Sequence, residues 1–346
     1  MTAAGASTGQ EPAPVKARTP RWRQAIPYAG TVIIFALIFW RISASRIAAD
    51  LRQVPIAKFV AIFLPYSIFY CVIDSWCLTW VVRRFNAPMR WRDILPIRAS
   101  MYVLAMLNTG LAQGGVAYYL HRKGGIPFLS ALSSILFIAM LEIYQLFLFS
   151  TLGVLFYTPI GSTQTRIIGI LRIVYVLAWA LLAAVMAFFA IVRRSPRVRQ
   201  WVEQGRAGAI ARTFIAAGPL DYATVILIKA PTFLASAVAH YFALAIYGVS
   251  IPVLRLILFL PLVFLAGALP ISVAHLGTSQ AAWLLFFAGS AAPAKLVAYS
   301  LVAQFTYMFC NALIGLCFVP RATRELTAIR REDTDAVASA QRARPG

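Results

Sequence analysis

Long apolar runs alternate with short basic connections along almost the whole chain. A helix needs about 20 predominantly apolar residues to cross hydrocarbon, and the pattern predicts crossings at Ile26 to Ile42, Ala57 to Val82, Pro127 to Tyr157, Ile167 to Val192, Tyr222 to Val249 and Leu296 to Val319. The third is too long for one perpendicular passage at about 1.5 Å per residue, so it must tilt or protrude. Two other apolar stretches, Ile94 to Leu120 and Leu254 to Phe287, are broken near their middles. The breaks read LNTGLAQGGVAYYL from Leu107 and LPISVAHLGTSQAAWL from Leu269. Each stretch is either one helix with a defect or two half-helices meeting inside the membrane.

Charge separates these options, because short cytoplasmic loops retain Lys and Arg. If both broken stretches are re-entrant, the clusters Arg21/Arg23, Arg83/Arg84/Arg90/Arg92, Arg122/Lys123, Arg193 to Arg212 and Arg321 to Arg331 share one face. The other face keeps the thinner set Arg41, Arg46, Arg52, Lys58, Arg166 and Lys295. A complete crossing by the first stretch would instead put Arg84 and Arg122 on opposite sides. Re-entrance therefore predicts cytoplasmic termini, with three crossings between the hairpins, so that the first enters from the cytoplasm and the second from outside. At one constant spacing Leu107 falls on Leu269, Asn108 on Pro270, Gly115 on Gly277 and Glu142 on Gln304, as an inverted repeat requires. The expected fold is an all-α polytopic membrane bundle with two re-entrant broken-helix hairpins, about 94–120 and 254–287, in an inverted repeat.

Composition agrees: 61% of residues are hydrophobic and the mean hydropathy is +0.76, beyond the range of soluble domains. The net charge of +21 is spread between apolar runs instead of forming one stripe, which excludes nucleic acid as a partner. Residues 1–25 are expected to form a disordered basic cytoplasmic tail ahead of a retained anchor, 26–319 a single transmembrane domain, and 320–346 a charged cytoplasmic tail. Cys71, Cys77, Cys310 and Cys317 sit in apolar segments without metal-ligand neighbours and need no role beyond packing.

Broken backbone survives in hydrocarbon only where protein buries it or water reaches it, so the breaks mark a candidate cavity. Gly110, Gly114 and Gly115, and Pro270 with Gly277, permit a sharp bend; the alternative is close helix packing, which the spacing of Gly110 and Gly114 also satisfies. Deep ionisable residues are few: Asp74, Glu142, Lys229 and His240, with Arg98 near one entry and His275 in the second break. Such groups face an interior or a partner. Glu142 is the deepest acid; Asp74 is expected near the cytoplasmic rim, and Lys229 is expected to snorkel to the same face. Gln113 and His275 hold equivalent places in the breaks, and both can donate hydrogen bonds to a phosphate or carbonyl. With Tyr118, Gln280 and Gln304 they complete a candidate substrate site of Gln113, Gly114, Gly115, Tyr118, Glu142, Pro270, His275, Gly277, Gln280 and Gln304. The sequence contains no HExxH, Walker or dinucleotide motif, and no cofactor is expected. The connection from Arg193 to Asp221 is too short for a catalytic domain and reads as a basic interfacial helix.

From about Ile26 to Arg321 the chain resembles the lysylphosphatidylglycerol synthase/flippase transmembrane-domain superfamily. The family's first hairpin ends in Gly-Glu-x-x-Arg, and here Gly114-Gly115-Val116-Ala117-Tyr118 takes that place, followed by Lys123-Gly124-Gly125-Ile126. Its second hairpin, Pro-x-x-x-Gly-Gly-x-Gly-x-x-Glu, is similar to Pro270 through Gln280, with Pro270 and Gly277 matching. Gly115, Tyr118 and Gln280 replace three charged residues, and Ile143 follows Glu142 where a Glu-Arg pair is common. The resemblance implies a bacterial inner-membrane protein that moves a polar-headed phospholipid or lipid-linked intermediate between leaflets, with membrane lipids as partners. The alternatives are a membrane-embedded transferase or accessory subunit in lipid or lipid-linked glycan synthesis, and a scaffold for a lipid-biosynthesis enzyme.

Overall fold

The computed structural model describes residues 32–156, 162–197, 206–269 and 276–342. All regular secondary structure among them is helical. Helix α1 (Val32–Arg41) meets α2 (Ala44–Arg52) at 92°. There follow α3 (Ile56–Phe85), α4 (Trp91–Leu107), α5 (Thr109–Gly124), α6 (Phe128–Phe156), α7 (Ser162–Arg194), α8 (Arg206–Ala216), α9 (Pro219–Ile246), α10 (Val253–Ala268), α11 (Thr278–Phe286) and α12 (Pro293–Arg342). Helices α3, α6, α7, α9 and α12 are long and apolar enough to cross a bilayer. Of the first expected crossing only α1 and Ile42 are described. Helix α12 does not stop at the expected end of the membrane domain; it runs through Pro320 into the charged tail.

The first broken stretch is a hairpin. Asn108 alone separates α4 from α5, in extended backbone, and its Oδ1 accepts the Leu111 N–H at 3.0 Å to cap α5. The two arms then run antiparallel: a Cβ on Gly115 would lie 2.8 Å from Met101 Sδ, and at the root Lys123 Nζ pairs with Asp93 at 3.2 Å. Gly115 thus serves arm-to-arm packing. A Cβ on Gly114 would meet nothing within 4 Å, so the Gly110/Gly114 spacing does not mark a close helix contact within the chain.

The second broken stretch folds back in the same manner. Arg255 at the start of α10 donates to Ser290 Oγ and the Phe286 carbonyl, both at 3.2 Å, and Phe259 stacks on Phe286. Its tip, with Pro270 and His275, lies outside the described residues. Gly277 opens α11 at φ +91°, a conformation that side chains with a Cβ resist, while the Gln280 side chain accepts the Gly277 N–H. The spacing that aligns Gly115 with Gly277 therefore pairs a glycine inside a helix with one at a helix start; Asn108 and Gly277 are the residues in equivalent local positions.

The hairpins open at opposite ends of α12. The root of the first is tied to its distal part, with Lys123 paired to Glu325 at 3.0 Å and Arg321 bonded to the Arg92 carbonyl. The root of the second lies by its start, where Lys295 Nζ bonds the Gly248 carbonyl at 3.2 Å. Arg84 pairs with Asp221 at 3.0 Å and Arg193 bonds the Ala217 carbonyl, so Arg84, Lys123 and Arg193 at their helix ends and Arg321 on α12 gather on one face, as the charge pattern predicts. Two glycines let helices approach closely: a Cβ on Gly153 would lie 2.7 Å from the Leu258 carbonyl oxygen of α10, and one on Gly315 would lie 3.1 Å from the Ala99 carbonyl oxygen of α4. Helix α8 docks on α6 through Thr213 N–H to Ser133 Oγ and Arg212 to Ser130 Oγ. By contrast Val176, Leu177 and Leu181 of α7 are about two-thirds exposed at 64, 64 and 67%, the surface expected against lipid.

Candidate functional site

Helix α3 repeats buried or half-buried residues at helical spacing, Phe63, Ser67, Tyr70, Asp74 and Leu78, and so turns one acid toward the bundle centre. Asp74 is 1% exposed there. Arg98 of α4 grips it with Nε at 2.6 Å and a second nitrogen at 3.3 Å, Lys229 of α9 donates at 2.8 Å, and Tyr102 donates at 3.3 Å. Lys229 also pairs with Glu142 of α6 and sits over the Tyr70 ring at 4.6 Å. Tyr70 donates to Glu142 at 3.3 Å. Two cations and two carboxylates from four helices thus form one chain, Arg98–Asp74–Lys229–Glu142, with formal charges that cancel. Removing a group from such a buried set leaves an uncompensated charge, which is why the partners occur together. Asp74 is therefore not a rim acid, and Lys229, 1% exposed, does not snorkel.

A cavity of about 420 Å³ begins where the network ends. Helices α3, α6, α9, α10, α11 and α12 enclose it, and its size is that of a small-ligand pocket. Phe63, Leu146, Phe233, Val263 and Phe264 form apolar wall; Glu142, Gln145, Lys229, Ser236, His240 and Gln304 interrupt it with polar groups. The Glu142 side chain is 30% exposed, against 2% for Lys229, so the carboxylate lies between the cavity and the ammonium. Gln145, one helical turn beyond Glu142, is 3% exposed, and its Nε2 has no hydrogen-bond partner among the described residues. Buried donors are nearly always satisfied in folded proteins, so this one calls for an acceptor that the cavity would bring. His240 Nδ1 lies 2.7 Å from the Tyr299 hydroxyl, with its ring against Phe63 and Trp283. Ile143 and Ala268 line the cavity and are also exposed, so cavity and outer surface meet between α6 and the inner end of α10.

Of the residues singled out in the sequence, Glu142 and Gln304 line this cavity. Gln280 is fully buried and caps α11, next to Ser279, which does line it. Gly277 is the turn before that helix. Gln113, Gly114, Gly115 and Tyr118 lie on α5 and are not part of the wall; Tyr118 is half exposed, with Arg122 over its ring at 5.8 Å. Pro270 and His275 are outside the described residues. Sequence pattern missed Gln145, Ser236 and Tyr66, whose types are ordinary in membrane helices; the signal available was the turn-spaced pair Glu142 and Gln145. Among the described residues no His, Cys, Asp or Glu cluster could hold a metal ion.

The chain belongs to the family described as lysylphosphatidylglycerol synthase TM region, whose model matches residues 24–315 and so takes in both hairpins, the charge network and the cavity. It is accordingly a multi-pass membrane protein of a lipid-related family. No curated protein matches the chain, and neither does any solved structure.

Proposed function

We propose that this protein is an inner-membrane lipid translocase, with its basic face and both termini in the cytoplasm, that carries a polar lipid head through the cavity enclosed by its crossings and its second hairpin. One observation supports this above the rest: a mid-depth cavity whose apolar walls are interrupted by Glu142, Gln145 and Lys229, and which meets the outer surface at Ile143. A head group crossing hydrocarbon loses its water, and unsatisfied polar groups there cost several kcal/mol each. Fixed side chains supply substitutes for that water, while the acyl chains remain outside, along the surface beside Ile143. Excess Lys and Arg on the face of the first hairpin's root supports the assigned sidedness.

The test is reporter-lipid flipping. Purified protein is reconstituted into vesicles containing a fluorescent phospholipid, and an impermeant reductant is added outside. Protein-free vesicles protect the inner half of the fluorescence; vesicles with the protein should lose nearly all of it, and Glu142→Gln should slow that loss about tenfold, equivalent to about 1.4 kcal/mol of barrier. Protection equal to that of empty vesicles, with monodisperse protein, refutes the proposal. Appearance of a chemically altered lipid on incubation would favour a membrane-embedded transferase instead.

A further inference from the structure

We propose that Glu142 is a protonatable cover over Lys229, so that an anionic phosphodiester head group enters the cavity together with one proton. This rests on the cavity being a head-group site and specifies the chemistry of that site.

Three observations converge. Asp74 already takes two nitrogens of Arg98, Lys229 Nζ and the Tyr102 hydroxyl, and it does not line the cavity. Glu142 balances the second cation, and among the described residues it holds Lys229 and the Tyr70 hydroxyl while facing the open space. The unpartnered Gln145 Nε2 lies one turn along the same helix, a donor waiting for an oxygen. Thr232 and Ser300 spend their hydroxyl protons on backbone carbonyls, so the donors presented to a ligand include Lys229 and Gln145.

An anion reaching Lys229 while Glu142 stays ionised would leave one uncompensated negative charge at bilayer depth, which is expensive. A proton from water on Glu142 removes it. The neutral carboxylic acid then releases Lys229, a phosphodiester oxygen takes its place, and the O–H becomes a donor. Charge balances at each stage: the resting network sums to zero, and so does the network holding one added proton and one phosphodiester. The other titratable and charged groups around Glu142 are Tyr66, Tyr70, Cys77 and Asp74 of α3, Arg98 and Tyr102 of α4, Lys229 and His240 of α9, and Tyr307 of α12. Among these, Glu142 is the carboxylate at the cavity wall, and Asp74 is locked by its donors.

The experiment is calorimetric titration of the full-length protein in detergent with monomeric dihexanoyl phosphatidylglycerol, in two buffers of equal pH and different ionisation enthalpy. The difference in heat gives protons taken up per lipid bound. The proposal expects about one, and a Kd that weakens as pH rises, by up to about tenfold per pH unit. Glu142→Gln should bind with no proton uptake and a pH-independent Kd. Binding with zero uptake, or with proton release, overturns the proposal and leaves the head-group site standing. Absence of any binding by folded protein sinks the site itself. Should Glu142→Gln fail to fold, the proton count of the unaltered protein decides alone.

Discussion

Replacing Asp74 by Asn keeps the shape of the side chain and removes the charge that two cations share. Arg98 and Lys229 would then lie in the bundle centre with Glu142 alone to balance them, and the amide can accept fewer of the donors now aimed at Asp74, at 2.6, 3.3, 2.8 and 3.3 Å. Breaking one partner out of a buried ion pair costs about 3–5 kcal/mol. At about 2 °C per kcal/mol for a chain of this size, the apparent Tm should fall by about 6–10 °C. Glu142→Gln should cost less, because that carboxylate is 30% exposed and the ammonium it leaves still has Asp74. Heating detergent-solubilised protein and measuring the monodisperse fraction by size-exclusion fluorescence gives both values. Adding Arg98→Gln to Asp74→Asn should recover part of the loss, since the orphaned cation goes with its acid. An Asp74→Asn protein that melts within about 2 °C of the original, or above Glu142→Gln, would show that the network does not carry the weight assigned to it.

Gly315→Ala should destabilise the protein by about 1–3 kcal/mol of overpacking, read as a fall in apparent Tm, because its Cβ would press on Val103 at 2.7 Å and on backbone of α4. Gly114→Ala, with open space around it, should leave stability unchanged or raise it by about 0.5–1 kcal/mol; a Gly114→Ala protein that melts at or below Gly315→Ala would overturn this contrast. In a background with the exposed Cys317 replaced, an impermeant maleimide should label Arg122→Cys from one side of sealed vesicles and Ser290→Cys from the other. Labelling of both from the same side would contradict the opposed hairpins.

The long crossings and both hairpins were legible in the sequence because lipid imposes a length and a charge asymmetry that can be counted. The charge pattern alone places Arg84 and Arg122 on one face, and Asp221 and Glu325 tie that face together. The first break was located, at Asn108, but it does not border the cavity, and the glycines of the two stretches act differently: Gly277 supplies a positive φ, and Gly115 supplies room for Met101. The charge network was not legible. Arg98, Asp74, Lys229 and Glu142 come from four helices, and no local spacing reveals which distant residue completes a pair. A lysine read alone snorkels; a lysine facing Asp74 does not. Likewise Gln113 looked equivalent to His275 from the breaks, whereas the cavity wall is built by crossings α3, α6, α9 and α12 with the second hairpin.

The cancellation of charge within the Arg98–Asp74–Lys229–Glu142 chain bears on how the protein answers to voltage. An elementary charge moved through the full membrane potential exchanges about 2.3 kcal/mol per 100 mV. A set that sums to zero, displaced as a unit, exchanges almost nothing. Moving this set within an energised membrane therefore takes almost no electrical work, and the same holds for the set once one proton and one phosphodiester have joined it.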